Sequence, residues 1–237
     1  MKWLFSLLML LVSVGCRSPR HEAVAIGLDP TFYPLRLMGQ EVNVEGLTRD
    51  VMLEMSTRVG RPFEIVTVSW DNADLALKQG ECDAIFSSRY PYIFNTSRYD
   101  FSSLYLGTGP VLVTTTSHGD NFADREVAVR RWGDAPLALE LSPKVIVREY
   151  DSIPTVLQRI DQGRLDGALV DMLIASGYVA DIYKGRLRIA SQPLTDEGIR
   201  LIALKGEQRE LLDLFDRELD AMRADGSLEH LHTKWRL

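Results

Sequence analysis

One pattern occurs twice in this chain, and the repetition constrains the fold more than any other feature. In residues 76–88 and again in residues 157–171, an amphipathic helix ends at a Gln-Gly pair and a short apolar strand follows. Glycine readily adopts the left-handed backbone conformation that ends a helix, so each copy is predicted to be a helix, a tight stop and a strand. The repetition therefore predicts two similar α/β halves.

Polar residues stand at the end of each repeated strand. Ser87 and Ser88 end the first strand, and Asp171 ends the second. In open α/β sheets, ligands bind at the carboxyl ends of the strands. We therefore expect a ligand cleft between the two halves, with these three residues facing it.

The composition argues against two classes of function. The chain has 46% hydrophobic and 25% charged residues, and its formal net charge is −6. Its basic residues are scattered, so nucleic acid is a poor candidate partner, because phosphate backbones require concentrated positive charge. The four histidines lack the spacing of metal ligands, and the sequence contains neither a phosphate-binding glycine loop nor a nucleophile elbow. We therefore predict no cofactor, no metal and no catalytic residue.

Residues 1–16 resemble a bacterial lipoprotein signal peptide. Lys2 precedes an apolar run at residues 3–12, which is short for a membrane span, and small residues precede Cys16. Ser13 departs from the leucine that is usual three places before the cysteine. The resemblance implies that Cys16 carries acyl chains such as palmitate and anchors the protein to a membrane on the periplasmic side, with residues 17–22 as a tether. The alternative is plain secretion with an incidental cysteine.

Periodicity predicts further elements around the expected cleft. Residues 41–45 are polar and predicted to form a hairpin tip, and a helix is expected to follow Gly46. Asp71 is expected to cap the helix that runs to Gly80. Cys82, at the entrance of the first repeated strand, is predicted to be a buried and unreactive thiol. A helix from about Gln208 is expected to bury the apolar residues Leu211, Leu212, Phe215, Leu219 and Met222.

A series of short motifs runs through the chain from about Val24 to Trp235. In order they are Asp29-Pro30-Thr31-Phe32, Gly46, Trp70-Asp71, the strand motif at residues 80–85, Asp100-Phe101-Ser102, the second repeat with Asp171, residues 224–228, and Lys234-Trp235. Together they resemble the bacterial extracellular solute-binding proteins, family 3, which deliver polar amino acids to ABC importers.

The resemblance implies a fold and a function. The fold would be α/β and periplasmic-binding-protein-like type II, with two α/β lobes joined by a two-strand hinge around a ligand cleft. Lobe 1 would comprise residues 23–109 and 196–237, and lobe 2 residues 110–195. The protein would be a monomeric lipoprotein, not an enzyme, that captures a small polar solute such as an amino acid by hinge closure. It would deliver that solute to an ABC permease in the inner membrane.

The resemblance also implies individual ligand contacts. Phe32 and Trp70 would sandwich the ligand side chain, and Asp29 would meet its polar or cationic group. Asp171 would take the ammonium group in a charge-assisted hydrogen bond. Plainer alternatives are a turn residue for Asp29, core positions for the two aromatics and a helix N-cap for Asp171. The complete set of expected ligand contacts is Asp29, Phe32, Trp70, Ser87, Ser88, Arg89, Tyr90, Asn95, Arg130, Asp134 and Asp171.

The sequence departs from the family where the ligand's α-carboxylate is bound. The family's threonine and carboxylate-binding arginine are replaced here by Tyr92 and Asn95. Asparagine cannot supply the planar, doubly donating charge of arginine. The second-half turn that offers backbone N–H groups to the carboxylate is also altered, to Trp132-Gly133-Asp134. Either another arginine substitutes, or the ligand has no free α-carboxylate. The candidate substitutes are Arg89, Arg98, Arg130 and Arg131.

Two other functions remain open on the same scaffold. One is an enzyme resembling cyclohexadienyl or arogenate dehydratases, with Asp171 or Glu140 as the general acid. The other is a ligand sensor in the cell envelope.

Overall fold

The computed structural model describes residues 23–33, 35, 37–119, 121–131 and 134–237. The predicted signal peptide, Cys16, the tether, Trp132 and Gly133 lie outside the described residues. Ten strands are described: β1 (Val24–Leu28), β2 (Phe63–Thr67), β3 (Ala84–Ser87), β4 (Tyr99–Gly107), β5 (Pro110–Thr115), β6 (Glu126–Arg130), β7 (Ile146–Tyr150), β8 (Gly167–Asp171), β9 (Leu187–Ile189) and β10 (Gly198–Leu204).

Helices alternate with these strands along the chain. The described α-helices are α1 (Glu41–Val59), α2 (Ala73–Gln79), α3 (Ile93–Thr96), α4 (Ala135–Leu141), α5 (Ile153–Asp161), α6 (Met172–Gly177), α7 (Arg209–Ala224) and α8 (Ser227–Trp235). A 3-10 turn at Trp70–Asn72 precedes α2, and a π-helical turn at Tyr178–Ile182 follows α6. Within the described ranges, no helix combines the length and apolar character needed to cross a membrane.

The strands form two five-stranded sheets of the same topology. The strand orders are β2-β1-β3-β10-β4 and β7-β6-β8-β5-β9. In each sheet the first three strands are parallel, and the fourth is antiparallel to both of its neighbours. The predicted pair of similar α/β halves is confirmed. We call the first sheet with α1–α3, α7 and α8 lobe 1, and the second sheet with α4–α6 lobe 2.

The repeated sequence pattern occupies the equivalent place in each lobe. Helix α2 leads through Gly80 into β3, and α5 leads through Gly163 into β8. Both glycines are left-handed, with φ of 71° and 68°. Because β3 and β8 are each the central strand of their sheet, the polar residues that follow them lie at the centre of each lobe's carboxyl edge.

The chain passes between the sheets twice. The first crossing joins β4 to β5, and the second joins β9 to β10. The two crossings are bonded to each other, since the backbone N–H of Thr108 donates to the carbonyl of Glu197 at 2.8 Å. The lobes also touch beside the crossings, because Leu173 of α6 belongs to the same buried cluster as Leu37 and Val44 of lobe 1.

Two local predictions are wrong. Residues 41–45 begin α1 rather than forming a hairpin tip, because Val44 and Leu47 are fully buried at helical spacing; Gly46 therefore lies inside the helix. Asp71 does not cap α2, since that helix begins only at Ala73, after the 3-10 turn. The prediction for α7 is confirmed, and its five expected residues are all buried.

Candidate functional site: the cleft between the lobes

A cavity of about 510 Å³ lies between the two lobes. Residues from lobe 1, from both crossings and from lobe 2 line it, and we call it the inter-lobe cleft. Its lining residues are Leu35, Met38, Thr108, Arg130, Ile153, Asp171, Leu173, Ile174 and Glu197. The volume falls within the range typical of small-molecule sites, roughly 300–1,000 Å³.

An ion pair joins the ends of two neighbouring strands in the cleft. Arg130 ends β6 and Asp171 ends β8, and the Arg130 Nη1 donates to Asp171 Oδ2 at 3.2 Å. The strands are parallel neighbours, so their carboxyl ends meet at one edge of the sheet. Asp171 occupies the N-cap position of α6, but its side chain makes no cap hydrogen bond within the described part of the chain. The Asp171 carboxylate is therefore bonded to Arg130 and lines the cleft.

A second carboxylate shares the same guanidinium. Asp134, directly before α4, is 7% exposed, and its Oδ2 lies 3.8 Å from the Nε of Arg130. Burial raises the pKa of Asp134, and the charge of Asp171 adds to that effect while Arg130 opposes it. Burial, with a further contribution from Asp171, also raises the pKa of Tyr150 to about 12. Glu197 is a further acidic member of the cleft lining, so Arg130 is shared among several carboxylates at this end of the cleft.

Replacing Asp134 with asparagine is expected to change how stability depends on pH. An acid whose pKa is higher in the folded state binds more protons when folded, so stability falls as pH rises from its ordinary pKa of 3.8 to the raised value. The variant lacks this loss. Thermal unfolding can be measured at one pH below this window and one above it. The stability of the variant relative to the wild type should be greater at the higher pH. Parallel pH curves for the two proteins would contradict the assignment.

The other three candidate carboxylate readers, Arg89, Arg98 and Arg131, lie outside the lining of the inter-lobe cleft. The Arg89 Nη1 donates to Asp74 at 3.0 Å, and its guanidinium lies 4.4 Å from the ring centroid of Trp70. Arg131 pairs with Glu149 and Asp151 at 3.3 and 3.5 Å. Arg98, exposed, lies directly before β4. Of the four arginines proposed as carboxylate readers, Arg130 is the one that lines the inter-lobe cleft.

The lobe 1 residues expected to contact the ligand make contacts within their own lobe. Phe32 is 2% exposed and belongs to the buried core of lobe 1. Asp29 is 8% exposed, and its Oδ1 accepts hydrogen bonds from the backbone N–H and the hydroxyl of Thr31 at 2.9 and 2.7 Å. The Arg89 guanidinium lies over the Trp70 ring. The Tyr33 and Trp70 rings meet edge to face, and their centroids are 5.6 Å apart. All three lie outside the cleft lining, so their role as ligand contacts stays a prediction.

The segment after β3 is held by its own polar groups. Ser87 is 5% exposed and its Oγ accepts a hydrogen bond from the backbone N–H two residues later at 3.1 Å. The Ser88 hydroxyl donates to the backbone carbonyl of Phe32 at 3.2 Å. Asn95, at the position where the family resemblance implies an arginine, donates from Nδ2 to the carbonyl of Tyr90 at 2.7 Å. These four residues therefore fix the loop, and their ligand role likewise remains a prediction.

Sequence reasoning missed most of the apolar lining. Ile153 and Ile174 come shortly after β7 and β8, so the rule that placed Asp171 at the cleft could have found them. Leu35 and Met38 belong to an irregular segment before α1, and no periodicity identifies them. The free thiol of Cys82 takes no part, since it is buried in lobe 1 and burial raises its pKa to about 11.

Comparisons with known proteins agree with this architecture. The profile of the bacterial extracellular solute-binding proteins, family 3, matches residues 24–237. A Haemophilus influenzae protein named "Probable amino-acid ABC transporter-binding protein" is 24% identical over 231 residues, which cover 94% of this chain and 88% of that protein. The virulence sensor protein BvgS of Bordetella pertussis is 28% identical over 229 residues, which cover 91% of this chain but only 18% of the sensor.

A solved structure shows the same fold. The crystal structure of an ancestral cyclohexadienyl dehydratase superposes with a TM-score of 0.71 at 22% sequence identity, covering 91% of this chain and 92% of that chain. At this identity the likeness concerns the fold alone. The match to the family profile, in contrast, spans nearly all of the described chain. The chain therefore belongs to the bacterial extracellular solute-binding proteins, family 3.

Proposed function

We propose that this protein binds an amino acid in the inter-lobe cleft and delivers it to an ABC permease from the periplasmic side of the membrane, to which Cys16 anchors it. The observation that carries the proposal is the ion pair between Arg130 and Asp171 at the cleft. These two groups are complementary to the two charged groups of an α-amino acid. A bound zwitterion would place its ammonium group at Asp171 and its carboxylate at Arg130, in place of the pair's contact with each other.

This arrangement compensates for the missing family arginine. Arg130 approaches from lobe 2, whereas the family arginine that Asn95 replaces would belong to lobe 1. The Arg130 side chain is 56% exposed, so it can contact a ligand without first leaving a buried site. Its guanidinium can donate to both oxygens of a carboxylate, which supports a ligand that has a free α-carboxylate.

Closure of the lobes around the ligand would distinguish the loaded protein from the empty one, as transport requires. The two bonded crossings allow the lobes to move as units about the segment near Thr108 and Glu197. A ligand that contacts both lobes stabilises the closed state, because closure removes water and strengthens the charged contacts. A permease would then recognise the closed state.

Calorimetric titration of the domain without its lipid anchor tests the proposal. We expect saturable binding of at least one α-amino acid. The N-acetyl derivative of the best ligand lacks the ammonium charge, and the corresponding amine lacks the carboxylate, so both should bind much more weakly. Absence of binding across all amino acids would contradict the proposal, and so would blocked analogues that bind as tightly as the parent amino acid.

A second candidate function is suggested by Asp134. A carboxyl group with a raised pKa beside a cleft is the usual form of a general acid, so an enzyme of the dehydratase type is the alternative. Glu140, in contrast, is exposed on α4 and lies outside the cleft lining. Incubation with a prephenate-type substrate distinguishes the two functions, because the binding protein is expected to leave it unchanged. An envelope sensor would use the same cleft and differ in its partner.

A further inference from the structure

The lining of the inter-lobe cleft is more apolar than a site for a polar amino acid requires. Five of its nine lining residues are aliphatic or methionine side chains, and both lobes contribute them. Leu35 and Met38 come from lobe 1, and Ile153, Leu173 and Ile174 come from lobe 2. Leu173 and Ile174 come two and three residues after Asp171, in α6, and line the same cavity as the charged pair.

The polar side chains of lobe 1 that could recognise a polar ligand side chain are bonded elsewhere. Asp29 accepts two hydrogen bonds from Thr31, and Arg89 pairs with Asp74. Among the described residues, the cleft lining contains two polar side chains besides the Arg130–Asp171 pair. They are Glu197 and Thr108. A polar ligand side chain enclosed here would have few partners for its hydrogen bonds, and leaving them unmade is costly.

Met38 shows where the ligand side chain would be covered. Its side chain is 62% exposed although it lines the cleft, and its backbone has a φ of 54°, a conformation that non-glycine residues rarely adopt. An exposed apolar residue at such a position gains by burial against an apolar ligand.

We propose that the ligand is an α-amino acid with a large apolar side chain, of about the size of leucine, isoleucine or methionine. This inference rests on the proposed function: Asp171 and Arg130 bind the two charged groups, and the apolar lining covers the side chain. Each methylene group that becomes buried then raises the affinity about fourfold.

Affinity measured along a series of straight side chains tests the inference. Alanine, 2-aminobutyrate, norvaline and norleucine should bind with affinity rising about fourfold at each step, and leucine should bind more tightly than lysine, arginine, glutamine or cystine. Constant affinity along the series would overturn the inference, and so would a preference for any of those polar amino acids. In either case the proposed function would still stand. If no amino acid bound at all, the proposed function itself would fail.

A matched pair of variants separates cleft contacts from general effects. Met38→Gln keeps the length of an exposed side chain but makes it polar, so it should weaken leucine binding several-fold and leave alanine binding nearly unchanged. Leu53 is 67% exposed on α1, outside the cleft lining, and Leu53→Gln should change neither affinity. Equal losses for leucine and alanine in Met38→Gln, or an unchanged leucine affinity, would contradict a side-chain contact at this position.

Discussion

Replacing Asp171 with alanine is expected to weaken amino-acid binding by about 2–5 kcal/mol, the usual cost of removing one partner of a buried charge pair, because lobe closure would bury the pair that the ligand ammonium group forms with Asp171. This corresponds to a loss of affinity of roughly 30-fold to several thousand-fold. Asp171 is the carboxylate that holds Arg130 at 3.2 Å, and the ammonium group of the ligand would take the place of that guanidinium. Without it, the ligand's positive charge would be enclosed in the cleft with no direct partner. Calorimetric titration of the wild type and the variant measures the difference.

Two further variants keep this result interpretable. Asp151→Ala removes a carboxylate from the same lobe, but that side chain is 74% exposed and pairs with Arg131 outside the cleft lining, so its effect on binding should be negligible. Asp171→Asn preserves the shape of the side chain and should reproduce most of the loss. Full affinity in a folded Asp171→Asn protein would show that the carboxylate does not bind the ammonium group.

Replacing Gly198 with alanine should lower the free energy of unfolding by about 1–3 kcal/mol, as overpacking in a close-packed interior does. Gly198 begins β10, directly after the second crossing. A Cβ added there would lie 2.2 Å from the backbone oxygen of Leu106 and 2.9 Å from the Leu104 Cδ2. Because one obstacle is backbone, the pairing between β4 and β10 must shift. Chemical denaturation followed by circular dichroism measures the change.

Gly119 provides the matched control for this substitution. A Cβ at Gly119 would meet nothing within 4 Å, and its φ lies outside the left-handed region. Gly119→Ala is therefore expected to change stability by less than about 0.5 kcal/mol, as surface substitutions usually do. Equal effects at the two glycines would show that close packing at the crossing is not what excludes a side chain from position 198.

Local sequence signals were sufficient for the framework of the fold. The Gln-Gly helix stops and the apolar strands after them predicted α2, β3, α5 and β8, because glycine conformation and hydrophobic periodicity are properties of a short segment. The same reasoning placed Asp171 at a strand end. It failed at residues 41–45, where Glu41 and Val42 are exposed on the first turn of α1 while Val44 is buried.

The detailed site could not be predicted in the same way, because it depends on contacts between distant residues. Nothing near Arg89 in the sequence indicates that Asp74 and Trp70 hold its guanidinium. Arg130 was one of four candidates, and only the pairing of β6 with β8 brings it to Asp171. The family motifs likewise suggested contacts for Phe32, whose ring is buried in the core of lobe 1.

A crystal structure of the protein grown with its best-binding amino acid would show directly how the cleft holds its ligand. We expect electron density for one amino acid in the cleft between the lobes, with its ammonium group bonded to the Asp171 carboxylate and its carboxylate bonded to the Arg130 guanidinium. Density in another cavity, or a ligand in the cleft that leaves the Arg130–Asp171 ion pair intact, would contradict this arrangement.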